Sequence, residues 1–89
     1  MSETMVAALE AIIAERSRQE KLHGSNSIVA QDPFLPPNAL SILAEEFGEV
    51  AQAINERDWP NLEEELIQVA SVCVAWSESI REARENEGR

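Results

Sequence analysis

Positive charge is scarce in this chain. Lys21 is its single lysine, and Lys and Arg together number 7 against 17 Asp and Glu, which leaves a formal net charge of -10. A protein that grips nucleic acid needs cations to neutralise phosphates, so no nucleic-acid partner is expected. Cysteine is nearly absent too. Cys73 has no second thiol to pair with, and its place in an apolar helical run makes it read as a small core residue. No apolar run approaches the ~20 residues of a membrane span. The opening residues show no basic segment followed by an apolar one. A cytoplasmic location is therefore expected, with no membrane partner.

What is present is apolar and periodic. Hydrophobic residues make up 44% of the chain, which is a globular composition and not a disordered one. At 89 residues the chain reads as one domain, residues 1–89. A domain this short buries a modest share of its surface, and oligomerisation is a common remedy. An acidic chain can still bind a phosphorylated small molecule when a divalent cation stands between the two sets of negative charge.

The pattern predicts an all-α fold with three main helices. The first covers about residues 3–22, with Met5, Leu9 and Ile12 at helical spacing and Val6 and Ile13 widening the stripe. The same phase continues into Arg16, Gln19 and His23, so the inward face turns polar toward its end. Gly24 is the expected stop. Residues 24–37 read as a loop, because Asp32-Pro33 and Pro36-Pro37 disfavour helix before them. That loop is either functional or a tether anchored by Phe34 and Leu35.

The second helix is expected over residues 38–57, capped by Asn38, with Leu40, Leu43, Phe47, Val50 and Ile54 as its seam. The third starts near Pro60 or Asn61, with Asn61 and Glu64 at capping-box spacing, and runs to about Glu85. Its seam is Leu62, Leu66, Val69, Cys73, Trp76 and Ile80, widened by Ile67, Ala70 and Val74. A helix apolar on so many sides needs several neighbours, which points to a partner subunit. Residues 84–89 are expected to fray.

Most acids of a helical protein coat its solvated face, but Glu46 and Glu65 stand beside apolar stripes. Glu46 has Ile42 and Leu43 a turn before and Val50 a turn after; Glu65 has Leu62 and Val69. Burying an unpaired ionised carboxylate costs several kcal/mol even after relaxation. With so few cationic side chains, a bound cation is the simplest compensation. Glu46 and Glu49 lie three apart on one helix, and Glu65 and Gln68 repeat that spacing on the next. Facing antiparallel helices would bring these oxygens together as a hard-cation site, suited to Mg²⁺ or Mn²⁺. Spacing alone leaves a solvated acidic face open as the other reading.

The string Leu43-Ala44-Glu45-Glu46-Phe47-Gly48-Glu49-Val50 resembles the EExxE motif of the MazG-like, all-α nucleotide pyrophosphohydrolase superfamily. Glu65-Leu66-Ile67-Gln68 lies where that superfamily has ExxD. Glu15-Arg16-Ser17-Arg18-Gln19-Glu20-Lys21 is similar to an ERxRQxxK segment of small phage and bacterial members. The resemblance implies a helical bundle completed as a homodimer or homotetramer. It implies cleavage of a nucleoside triphosphate to a monophosphate and pyrophosphate. It also implies Glu46, Glu49 and Glu65 as Mg²⁺ ligands, with Gln68 in the fourth position and Glu45 orienting a ligand or the attacking water. Arg16, Gln19 and Lys21 become candidates for contact with phosphate, sugar or base; as plain surface residues they would pair with glutamates. Two departures stand out: Gln68 replaces the motif Asp, and no lysine follows the second motif. They keep open a descendant that binds a nucleotide or a protein without turning it over. A purely structural helical module with solvated glutamates is the third reading.

Overall fold

Ser2 starts the first helix. Its hydroxyl accepts from the Met5 N–H at 3.1 Å and satisfies one of the free amides of the first turn. The computed structural model describes residues 1–24 and 38–87, which form α1 (Glu3–His23), α2 (Asn38–Asn55) and α3 (Trp59–Glu87), with no strand among them. Gly24 closes α1 as expected, at φ 52°, with its N–H donated to the Glu20 carbonyl. The predicted loop over 25–37, with its anchors Phe34 and Leu35, lies outside the described residues, and so does the capping side chain of Asn38.

The turn between α2 and α3 is three residues long, 56–58. Arg57 takes a left-handed conformation at φ 55°. Its N–H donates to the Ile54 carbonyl at 3.1 Å, and the Asp58 N–H reaches back to Ala53 at 3.0 Å. This pair of bonds is a Schellman motif, with Arg57 where glycine is usual. Asp58 then caps α3: its Oδ1 accepts from the Asn61 N–H at 3.3 Å. The helix therefore begins at Trp59, earlier than the Asn61 capping box predicts, and Trp59 is an exposed helical residue. Pro60 is tolerated because first-turn amides have no intrahelical partner. At its other end α3 reaches Glu87, so residues 84–87 are helical where fraying was expected.

α3 is the central element. α1 and α2 each pack on it and, among the described residues, not on one another. Its buried face is made of small residues: Ser71, Val72, Ala75 and Ser79. Ser71 keeps its hydroxyl satisfied by donating to the Ile67 carbonyl at 2.7 Å. The buried face of α2 carries Ala39 and Ala53, with Leu43, Glu46 and Val50 half-buried between them. Residues 39, 43, 46, 50 and 53 form one row with alternating four- and three-residue steps.

That row corrects the predicted seams. Leu43 and Val50 do face α3, but Leu40 is 62% exposed, Phe47 56% and Ile54 49%. On α3, Leu66 and Val74 are exposed, and Cys73 is exposed where a core place was expected. Hydrophobicity alone picks the bulkiest residues; the helices instead close through small ones, which allow near approach. No residue of α1 is fully buried, although Ile12, Arg16 and Gln19 are half-buried in the predicted phase.

Candidate metal centre and adjoining cleft

The row that packs α2 on α3 contains Glu46 at its middle. The matching face of α3 contains Glu65, and the short 56–58 turn folds the two helices into an αα-hairpin. Glu49 stands one turn beyond Glu46. One carboxylate oxygen from each of Glu46, Glu49 and Glu65 lies within 4.8 Å of the other two. The predicted convergence of these three side chains is therefore present.

The Oε2 atoms of Glu46 and Glu65 are buried and have no hydrogen-bond partner. An unsatisfied buried polar atom costs about 1–3 kcal/mol, and more when charged. Burial raises the Glu46 carboxyl above the ordinary carboxylate range, and the neighbouring Glu49 adds to the rise. Glu65 is pushed up to about 7, first because Glu49 hydrogen-bonds its protonated form, then through burial and the charges of Glu49 and Glu46. Crowding of like charges and burial thus favour the protonated forms of Glu46 and Glu65.

This donor set fits a hard divalent cation. Oxygens on a single Mg²⁺ at ~2.1 Å stand at most about 4.2 Å apart. A trio within 4.8 Å reaches that by small side-chain rotations. Glu45, adjacent in sequence, is exposed and outside the trio, and its charge contributes to the raised Glu46. Gln68 lies one turn past Glu65, half-buried, with its Oε1 accepting from Gln19 Nε2 at 3.2 Å.

Beside Glu46 a cleft of about 280 Å³ opens between α1 and the α2–α3 pair. Arg16, Arg18, Gln19 and His23 contribute from α1; Ile42 and Glu46 face them from α2, with Gln68, Val72 and Ala75 on α3. The volume sits near the ~300 Å³ lower end of ligand pockets. Two of the three residues expected at a substrate, Arg16 and Gln19, line this cleft. Lys21 does not: it borders a separate apolar groove between α1 and α3 with Leu9, Ile12, Ile13 and Val74. Arg16 is committed to acids, donating to Glu78 through Nε at 3.2 Å and to Glu20 at 3.1 Å. Its side chain is 11% exposed.

Sequence reading missed Arg18 and His23. His23 shares the phase of Arg16 and Gln19, which was the available signal, but a single histidine at a helix end reads first as a cap. Glu15 was also missed. It holds Arg18 with two bonds of 2.8 and 2.6 Å and accepts from Gln19 at 3.1 Å, while only 12% of its side chain is exposed. These contacts, with one from Gln68, hold its carboxyl below the usual range against the cost of burial.

The sequence pattern of the MazG nucleotide pyrophosphohydrolase domain matches residues 35–85. An uncharacterized protein of Archaeoglobus fulgidus is 42% identical over 41 residues, which cover 46% of this chain and 44% of that protein. The match thus spans less than half of that relative's length. No solved structure matches.

Proposed function

Because the chain belongs to the MazG nucleotide pyrophosphohydrolase domain family, we propose that it hydrolyses a nucleoside triphosphate to the monophosphate and pyrophosphate in a Mg²⁺-dependent reaction. The observation that carries this reading is the trio Glu46, Glu49 and Glu65, whose oxygens converge while two of them lie buried without partners. Those three residues would hold Mg²⁺, or Mn²⁺. Gln68 can join them through the second lone pair of its amide oxygen. The cation, when bound, supplies charge neutralisation at the phosphates and activation of water.

The chain's own residues have separable tasks. Glu45 orients a ligand or the attacking water from the exposed side of the trio. Arg16, Arg18 and Gln19 present donors along the cleft that opens beside Glu46, where phosphate, sugar or base can be met. Lys21 stands outside this cleft. The whole unit, residues 1–89, works as one domain in a homodimer or homotetramer in the cytoplasm. The exposed faces of Leu40, Phe47, Ile54 and Leu66 support the oligomer, because a second copy would cover them. The net charge of -10 disfavours nucleic acid, and no described helix is long and apolar enough to cross a membrane.

A panel of nucleoside triphosphates assayed for pyrophosphate with Mg²⁺ and Mn²⁺ tests the activity. Release is expected from at least one substrate and should be lost in Glu46→Ala and Glu49→Ala. Absence of release across the panel rejects it. Gln68, neutral where the family motif has Asp, favours a second reading: binding without turnover. Tight nucleotide binding with the nucleotide intact after long incubation selects that one.

A further inference from the structure

Glu15 is nearly buried, yet it is outside the carboxylate trio and does not line the cleft. Its donors are what distinguish it. Arg18 reaches it through Nε at 2.8 Å and Nη2 at 2.6 Å, and Gln19 Nε2 at 3.1 Å. The same Gln19 amide group donates to Gln68 Oε1 at 3.2 Å, so Gln19 links Glu15 to Gln68. Arg18, Gln19 and Gln68 all line the cleft. We propose that Glu15 is a positioning residue, which sets the guanidinium of Arg18 and the paired amides of Gln19 and Gln68 along the cleft wall before a ligand arrives.

The chemistry favours Glu15 for this task. A carboxylate is acceptor-only and can take four donors, whereas an amide can be held in either of two flipped orientations. With Glu15 accepting from Gln19, that amide has its NH₂ group directed to the carboxylate, and the Gln68 oxygen is turned to the same NH₂ group. The flip is settled on both side chains. Gln68 sits on α3 and Glu15 on α1, so the same network fixes the cleft's two walls relative to each other. An amide at position 68 accepts from Gln19 without adding a second negative charge to the network around Glu15. This role rests on the proposed nucleotide reaction for its purpose, but its geometry can be tested without it.

The test compares the parent with Glu15→Gln and Glu15→Ala. In metal-free, nucleotide-free protein, the nitrogen-15 side-chain signals of Gln19 and Gln68 are expected to move and broaden in both variants, while backbone signals of α2 stay in place. With Mg²⁺ and the best triphosphate of the panel, KM is expected to rise about tenfold in Glu15→Ala, a typical loss for displaced binding contacts, with kcat within about twofold. Glu15→Gln keeps one acceptor oxygen and should fall between. Unchanged Gln68 and Gln19 side-chain signals overturn the proposal, as does an unchanged KM in an active parent. If Glu15→Ala does not fold, the near-isosteric Glu15→Gln decides by the same readings. A parent that releases no pyrophosphate counts against the reaction and not against Glu15, which the side-chain signals then decide alone.

Discussion

Glu46 and Glu65 face one another across the α2–α3 interface, and each keeps one carboxylate oxygen buried without a donor. Packing has brought together two groups that repel, in the row where an apolar contact would stabilise the hairpin. Divalent cation should therefore stabilise the fold. A ligand that binds only the native state adds about 2.7 kcal/mol at a hundred times its Kd. In a domain of this size each kcal/mol moves Tm by about 4–8 °C. Scanning calorimetry with and without Mg²⁺ is expected to show such a rise in the parent. Glu46→Gln and Glu65→Gln should each raise the metal-free Tm and weaken the response to Mg²⁺. A double variant that still responds as the parent does would remove the trio as the binding site.

Glu65 also imposes a pH dependence on the metal-free protein. Its carboxyl is raised from 4.5 to about 7 in the fold, chiefly through Glu49. Between these values the folded chain binds more protons than the unfolded one, so stability falls as pH rises. The contribution is fully present below about 4.5 and is lost as pH passes through about 7. Urea midpoints in chelator from pH 4.5 to 8 should decline, and Glu65→Gln should flatten the decline. An equal slope in parent and variant would assign the effect to overall negative charge instead.

The positions of the three helices were legible because period and stop signals agree: Gly24 ends α1, and the break just before Trp59-Pro60, residues 56–58, separates α2 from α3. The carboxylate convergence was legible for a different reason. Glu46 and Glu65 are the residues that conflict with their apolar surroundings, and such conflicts mark sites. The seams were not legible, since Leu40, Phe47 and Ile54 outrank Ala39 and Ala53 in hydrophobicity but not in how closely they let helices approach. Nor was Glu15, whose acid looks solvated until Gln68 is placed across from it.

Arg57 holds the α2–α3 turn at φ 55°, a conformation that costs most side chains about 1 kcal/mol and glycine almost nothing. Glycine gives back part of this by loosening the unfolded chain. Arg57→Gly is expected to stabilise the protein by roughly 0.5 kcal/mol, measured by urea unfolding, with Mg²⁺ response unchanged. Destabilisation would mean that the Arg57 side chain makes a contribution larger than the strain.

Gly48 presents the opposite case. It lies inside α2 with a helical backbone, and an added Cβ would meet nothing within 4 Å. Gly48→Ala should therefore stabilise the fold by about 0.5–1 kcal/mol. If the same variant loses pyrophosphate release while its Tm rises, the open space beside Gly48 is needed by the ligand.

Gln68→Glu separates the two demands made on position 68. In the metal-free state a carboxylate there adds a negative charge near Glu15 and near a trio already short of positive charge. Tm should fall without metal. If position 68 lies within reach of the cation, the added charge strengthens binding, and the Mg²⁺-induced rise in Tm should exceed that of the parent. A lower metal-free Tm with the parent's Mg²⁺ increment would place residue 68 outside the ligand set and leave its amide wholly to the α1–α3 contact.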